Sequence, residues 1–155
     1  MQSNDLLHLF TEDIGTAQRL LELLDAEFQA LSERDLVRLE QILGEKLPLL
    51  SLLEQHSTTR GRLLAEQQLS TDRAGLEQLA SRRTDGGELL ERSDELNQLL
   101  EHCRQANQRN GRLIRANQTS LQSLLGILRG GETPGLYDSR GGTARIAQQR
   151  PLSQA

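Results

Sequence analysis

Few residues of this 155-residue chain have the type and spacing that chemistry requires. His102 and Cys103 are adjacent, but neighbours on a helix point about 100 degrees apart, and neither has a second His or Cys three or four residues away. Paired carboxylates such as Asp94 and Glu95 are ordinary on a hydrophilic helix face and do not by themselves indicate acid–base catalysis. We therefore expect no catalytic residue, no metal site and no cofactor.

The glycine pairs Gly130–Gly131 and Gly141–Gly142 also lack the context of a phosphate-binding loop. No Gly-Lys-Ser/Thr follows them, and no strand pattern precedes them. Together with the absence of other catalytic patterns, this predicts that the protein is not an enzyme.

Arginine is the remaining candidate for a binding role. Between His102 and Gly131 there is no acidic residue, whereas five arginines occur there: Arg104, Arg109, Arg112, Arg115 and Arg129. Nucleic-acid binding is disfavoured, because this half of the chain has no lysine, aromatics make up 2% of the residues and the net charge is -4. Contact with an acidic helix, of the same chain or of another protein, is the better interpretation.

The composition indicates helices without sheets. There are 33 leucines but one valine and five isoleucines, and β-branched and aromatic residues are those that strands favour. No segment resembles a signal peptide or a membrane span, and a lone cysteine suits a reducing compartment, so we expect a cytoplasmic protein that does not insert into membranes.

Apolar spacing predicts an elongated all-α fold, an antiparallel helical hairpin or coiled-coil bundle of about three long helices over residues 1–129. The first helix has apolar residues at intervals of three and four: Leu7, Phe10, Ile14, Ala17, Leu21, Leu24, Phe28 and Leu31. The predicted helices span about 4–31, 34–68, 72–80 and 86–129. An irregularity is expected near Gly44 and Pro48, and residues 54–62, which contain no apolar side chain, should be solvated on all sides if they are helical.

Residues 130–155 predict a flexible tail, because glycines and prolines dominate and apolar residues are scattered. The tail nevertheless contains Tyr137, the one tyrosine of the chain.

Three motifs resemble the FlgN family of flagellar type III export chaperones. They are NQRNGRLI at 107–114, LxxLLGIL at 121–128 and LYDxxG at 136–141, and the resemblance extends to the length, the acidity and the leucine-rich helical hairpin. It implies a cytosolic chaperone that binds hook-filament junction proteins, prevents their premature assembly and delivers them to the export gate.

The resemblance also implies two sets of functional residues. The client-binding set, which we call the terminal stripe, lies on the last helix: Leu113, Ile114, Leu121, Leu124, Leu125 and Leu128. Tyr137, Asp138 and Gly141 would dock on the cytosolic domain of the export-gate protein. Without a client, the terminal stripe is expected to fold back on the bundle or to self-associate. A homodimeric coiled-coil scaffold with no export role is the alternative that periodicity leaves open.

Overall fold

A computed structural model describes residues 2–128, which form four helices: α1 (Gln2–Glu33), α2 (Leu36–Glu66), α3 (Arg73–Ser81) and α4 (Gly86–Leu128). No strand occurs in these residues. The predicted all-α class is confirmed. The predicted tail lies outside the described residues.

The turn between α1 and α2 is closed by its own backbone. Arg34 has a positive φ of 58°, and its N–H donates to the carbonyl of Leu31, while the N–H of Asp35 donates to the carbonyl of Ala30 over 2.9 Å. This is the Schellman pattern, which satisfies the last carbonyls of α1. The Asp35 carboxylate then caps α2 by accepting from the N–H of Arg38. Two residues therefore suffice to reverse the chain into an antiparallel hairpin.

The connection from α2 to α3 likewise combines a residue of positive φ with a capping aspartate. Gln68, with a φ of 62°, ends α2, and Asp72 caps α3 by accepting from the N–H of Gly75 over 3.2 Å. A Cβ at Gly75 would collide with the carbonyl of Ser70, so glycine is needed for this close approach. The turn brings the nine residues of α3 back against the open end of the hairpin.

Helices α1 and α4 run parallel in a fixed heptad register. The Cys103 thiol donates to the carbonyl of Ala17, and the side-chain amide N–H groups of Asn110 and Asn117 donate to the carbonyls of Leu24 and Leu31. In each pair the partners are 86 residues apart in sequence. Because α1 ends at Glu33, the residues of α4 after Thr119 extend beyond it.

Helix α1 packs against both α2 and α4, and α3 packs against α4 and α2. Between residues 2 and 128, α2 and α4 make no close backbone contact with each other. A furrow therefore separates α2 from α4 along the molecule. At the open end of the hairpin α3 fills it, with Leu76, Leu79 and Ala80 buried against leucines of both neighbours.

Helix α2 is not interrupted at Gly44 or Pro48, where the sequence suggests an irregularity. Both residues are exposed. On one side of them Ile42 is buried against α1, and on the other side Leu50 and Leu53 pack on the cluster that contains Cys103. Tertiary packing on both sides thus offsets the roughly 3 kcal/mol that an interior proline costs.

A groove at the tip of the helical hairpin

The end of α4 and the turn of the hairpin enclose an apolar groove, which we call the tip groove. Its volume is about 560 Å³. Helix α1 provides its floor, α2 one wall and α4 the other. It is lined by Leu31, Arg34, Leu36, Leu39, Ile114, Asn117, Gln118, Ser120 and Leu124.

The overhanging end of α4 exposes aliphatic side chains. Leu124 is 53% exposed, Leu125 41% and Ile127 76%. Exposed aliphatic residues that cluster in this way, beside an apolar groove, mark a surface that another protein can cover. Within the described residues, the end of α4 does not fold back on the bundle to bury this surface, and self-association, the other expected way to cover the terminal stripe, stays a prediction.

The structure brings part of the terminal stripe together. Ile114 and Leu124 line the tip groove, and Leu125 lies exposed next to Leu124. Leu113 is half-buried and does not line the groove. The side chains of Leu121 and Leu128 fall outside the described part of the structure, as do Tyr137, Asp138 and Gly141 in full.

Sequence reasoning missed the contribution of α2. Leu36, 73% exposed, and Leu39 line the groove opposite α4. Their spacing of three residues is that of any core-facing helix position, so the sequence alone does not distinguish a groove wall from the core of the hairpin. A signal was available in the position of Leu36 directly after the turn, where a side chain has few neighbours to cover it.

The apolar face of α2 continues beyond the tip groove. Leu36, Leu43 and Leu50 are one heptad apart, so they share a face of the helix, and Leu47 lies beside them. Leu50 packs against the cluster formed by Leu20, Leu24, Cys103 and Ala106, which places this face towards α4. Leu43 and Leu47 are nevertheless 42% and 51% exposed. The furrow is thus apolar but open between Leu36 and Leu50.

A buried polar layer ties the three long helices together beside the groove. The Asn110 side-chain amide, 1% exposed, donates to the Leu24 carbonyl and to Glu27 Oε1, each over 2.8 Å. Glu27 Oε2 in turn accepts from Lys46 Nζ over 2.9 Å. Because each of these groups would be costly to bury alone, the layer fixes the relative positions of α4, α1 and α2.

Six arginines of α4, α2 and the hairpin turn divide into two groups. Arg104 pairs with Glu101, and Arg109 pairs with Asp25 while its guanidinium lies 4.3 Å from the centre of the Phe28 ring. The second group has no acidic partner within ion-pair distance among residues 2–128, and of its members only Arg34 lines the tip groove: Arg34, Arg38, Arg112 and Arg115. Acidic residues lie at the same end of the molecule, since Glu33 and Asp35 flank Arg34 and Glu40 lies one helical turn after Leu36, so positive and negative charges there nearly balance.

A second polar cluster lies far from the groove, on the segment expected to be solvated. Asp13 is fully buried, and its carboxylate contacts His56 Nδ1 at 2.6 Å and the guanidinium of Arg60. The Arg60 guanidinium also lies 4.8 Å from the centre of the Phe10 ring. The expectation that residues 54–62 are solvated on all sides was wrong, because a buried carboxylate on α1 binds their polar side chains.

Cys103 packs in the core, as a small residue between helices. Burial, and to a lesser extent the charge of Asp25, raises the pKa of its thiol to about 11. Among the residues that the structure describes, no three potential ligands of the His, Cys, Asp and Glu types come together as a metal site would require. None of the described helices is long and apolar enough to cross a membrane.

Comparison with known proteins identifies the family to which this fold belongs. The model of the FlgN protein family matches residues 1–145. The crystal structure of a flagella synthesis protein FlgN from Pseudomonas aeruginosa is 55% identical, with a TM-score of 0.68, and the match covers 79% of this chain and 94% of that one. No curated protein matches. With a family match over nearly the whole chain and a solved relative of the same fold, the chain belongs to the FlgN family.

Proposed function

We propose that this protein is a cytosolic chaperone of flagellar type III export that binds hook-filament junction proteins, keeps them from premature assembly and delivers them to the export gate. The family membership supports the chaperone class. The proposed binding site rests on one observation. At the end of α4 that extends beyond α1, Leu124, Leu125 and Ile127 are exposed beside an apolar groove.

A helix of the client could bury these side chains by laying its own apolar face in the groove. Each aliphatic side chain that becomes fully buried contributes about 1.5 to 3 kcal/mol, and the cost of association offsets part of the sum. The result is a complex that is specific but can be released at the gate, as delivery requires.

Residues beyond α4 would make the second contact that delivery requires, the one with the export gate. Tyr137, with Asp138 and Gly141, would dock on the cytosolic domain of the export-gate protein, as the LYDxxG resemblance implies. The residues between α4 and this motif include Gly130, Gly131 and Gly135, and we expect them to serve as a linker. Client and gate could then be bound at once.

The test is calorimetric titration of the full chain with the C-terminal segment of a hook-filament junction protein. We expect Leu124→Asp together with Leu128→Asp to abolish binding while the helical content stays close to that of the wild type. Val37→Asp is the matched control, since Val37 is 68% exposed on the hairpin and does not line the groove. If the wild type binds no junction-protein segment, the proposal is wrong and a scaffold role is the better interpretation.

The tail is tested separately with Tyr137→Ala. This variant should bind the client segment as tightly as the wild type but bind the cytosolic domain of the gate protein more weakly in a pull-down. An equal loss of client binding would place the tail in the client site instead.

A further inference from the structure

We propose that two copies of the free chain associate about a twofold axis at the tip, with the end of α4 of each copy lying in the tip groove of the other. This end segment, residues 120–128, we call the overhang. The dimer is a property of the chain without its client, and it therefore goes beyond the proposed function.

The overhang has the length that the furrow accepts. At the open end of the hairpin the furrow is closed by α3, a helix of nine residues with Leu76, Leu79 and Ala80 buried. The overhang also has nine residues and rises about 13 Å. From Leu36 to Leu43, which are 73% and 42% exposed, α2 rises about 11 Å. An overhang that enters at the tip can therefore cover both of these leucines.

The overhang and the groove also match because neither depends on charge. Residues 116–128 contain no charged side chain, and Arg34 is the one charged residue among the nine described residues that line the groove. The nearest arginine of α4, Arg115, precedes Leu124 by about 13 Å along the helix. Two antiparallel overhangs would thus keep the arginines of the two copies at opposite ends of the contact, and no like charges oppose the association.

Each copy carries both halves of the contact. The overhang exposes Leu124, Leu125 and Ile127, and the groove that can bury them lies beside it on the same molecule. A twofold arrangement uses both surfaces of both copies, so it forms two identical contacts and leaves no free groove at which a third copy could add. A second copy is therefore the occupant that satisfies all of this exposed surface at once.

The area available predicts a weak dimer. A fully exposed aliphatic side chain carries about 100 Å² of apolar surface. At their observed exposures, Leu36, Leu43, Leu124, Leu125 and Ile127 together supply about 300 Å² in each copy. Apolar atoms form a little more than half of an ordinary interface, so the two copies would bury about 1,000 Å² in total. This lies at the low end of specific interfaces and predicts a dissociation constant in the micromolar range, which a client can overcome.

The first experiment is sedimentation velocity of the full chain at about 1 to 200 μM. The weight-average mass should rise with concentration from 17.3 kDa towards twice that value. Leu36→Asp in the groove and Ile127→Asp on the overhang should each raise the dissociation constant at least about tenfold, because each places a carboxylate in the apolar contact. Val37→Asp is the matched control, since Val37 is exposed next to Leu36 but does not line the groove.

Two results of this experiment would overturn the inference. One is a mass of 17.3 kDa at every concentration. The other is a dimer that Leu36→Asp leaves unchanged, because the groove would then take no part in it. Circular dichroism of the variants shows that a loss of association does not come from unfolding.

A second experiment identifies the occupant from the effect of concentration. In Leu36→Cys a thiol reagent reports whether the groove is covered, while Cys103 is buried and reacts slowly. Cover by a second copy should make labelling at about 200 μM at least about threefold slower than at about 1 μM, whereas Val37→Cys should react equally fast at both. Protection that does not change with concentration would overturn the inference and assign the groove to the chain's own residues 129–155. Full labelling at both concentrations would also overturn it.

The client segment distinguishes the dimer from the proposed function. Because both occupants use the same groove, titration with the junction-protein segment should convert the dimer into a complex of one chain and one segment. A segment that binds and leaves the dimer intact would overturn the inference. If no segment binds, only the proposed function fails, since the first two experiments need no client.

Discussion

The buried carboxylate of Asp13 should be the most sensitive charged group of the hairpin. It is fully buried, and the side chains of its partners His56 and Arg60 are each 14% exposed. In Asp13→Ala, Arg60 would keep its charge in a site that water barely reaches. Removing one partner of a buried pair costs about 3 to 5 kcal/mol, a large part of the stability of a small protein.

An exposed pair of the same chemistry provides the control. Arg73 and Asp94 bridge α3 and α4 with side chains 41% and 63% exposed, so Asp94→Ala should cost at most about 1 kcal/mol. Both substitutions replace a helical aspartate by alanine, so helix propensity changes alike and cancels in the comparison.

The free energy of unfolding is measured by urea titration followed by circular dichroism. Asp13→Asn, which removes the charge but keeps the volume, should retain most of the loss, because the cause is charge and not a cavity. The reasoning is refuted if Asp13→Ala costs no more than Asp94→Ala. Binding of the client segment by the folded variant should be unchanged, since Asp13 lies about 27 Å from Leu31 along α1.

Two further predictions follow from perturbed ionisations. The pKa of Cys103 is raised to about 11, so at pH 8 the fraction of thiolate falls to about one in a thousand, and a thiol reagent should label the folded protein at least about a hundredfold more slowly than the urea-unfolded protein. Equal labelling rates would show that the thiol is not buried. Hydrogen bonds from the Ser70 hydroxyl and the Gly75 N–H lower the pKa of Asp72 below 3.8, so its stabilising effect is complete above that pH and is lost as the pH falls through the lowered value. The stability advantage of the wild type over Asp72→Ala should therefore shrink between pH 5 and pH 3 in urea titrations, and a constant difference would contradict the capping role.

The leucine-rich pattern was sufficient to predict an all-α fold, because apolar residues at intervals of three and four have only one way to form a continuous buried face. The polar contacts could not be predicted in the same way. Asp13 is one of many acidic residues in α1, and only the position of α2 brings His56 and Arg60 to it. Periodicity identifies which face of a helix is buried. It does not identify which polar side chain of one helix contacts which side chain of the next.

The candidate site could likewise be predicted only in part from the sequence. The exposed leucines of α4 follow from the length of the helix, which exceeds what the hairpin can cover. The role of Leu36 depends instead on the direction of α4, and an apolar residue at the start of a helix reads equally well as core. Two walls of one groove become visible only when two segments far apart in sequence are placed side by side.

The position of the groove is set by residues that do not all line it. If α4 moved by one heptad along α1, Asn110 could donate to the carbonyl of Ala17 or Leu31 instead of Leu24, but it would lose Glu27 and leave Oε1 of that part-buried carboxylate without its partner. Other registers are therefore less stable. The register that satisfies both hydrogen bonds of Asn110 also places Asn117 at the Leu31 carbonyl and Leu124 beyond the end of α1. The polar layer thus decides how much of α4 overhangs the hairpin. A substitution such as Asn110→Leu would stabilise apolar contacts in several registers at once, and loss of client binding in a variant that stays folded would identify register as the property on which the site depends.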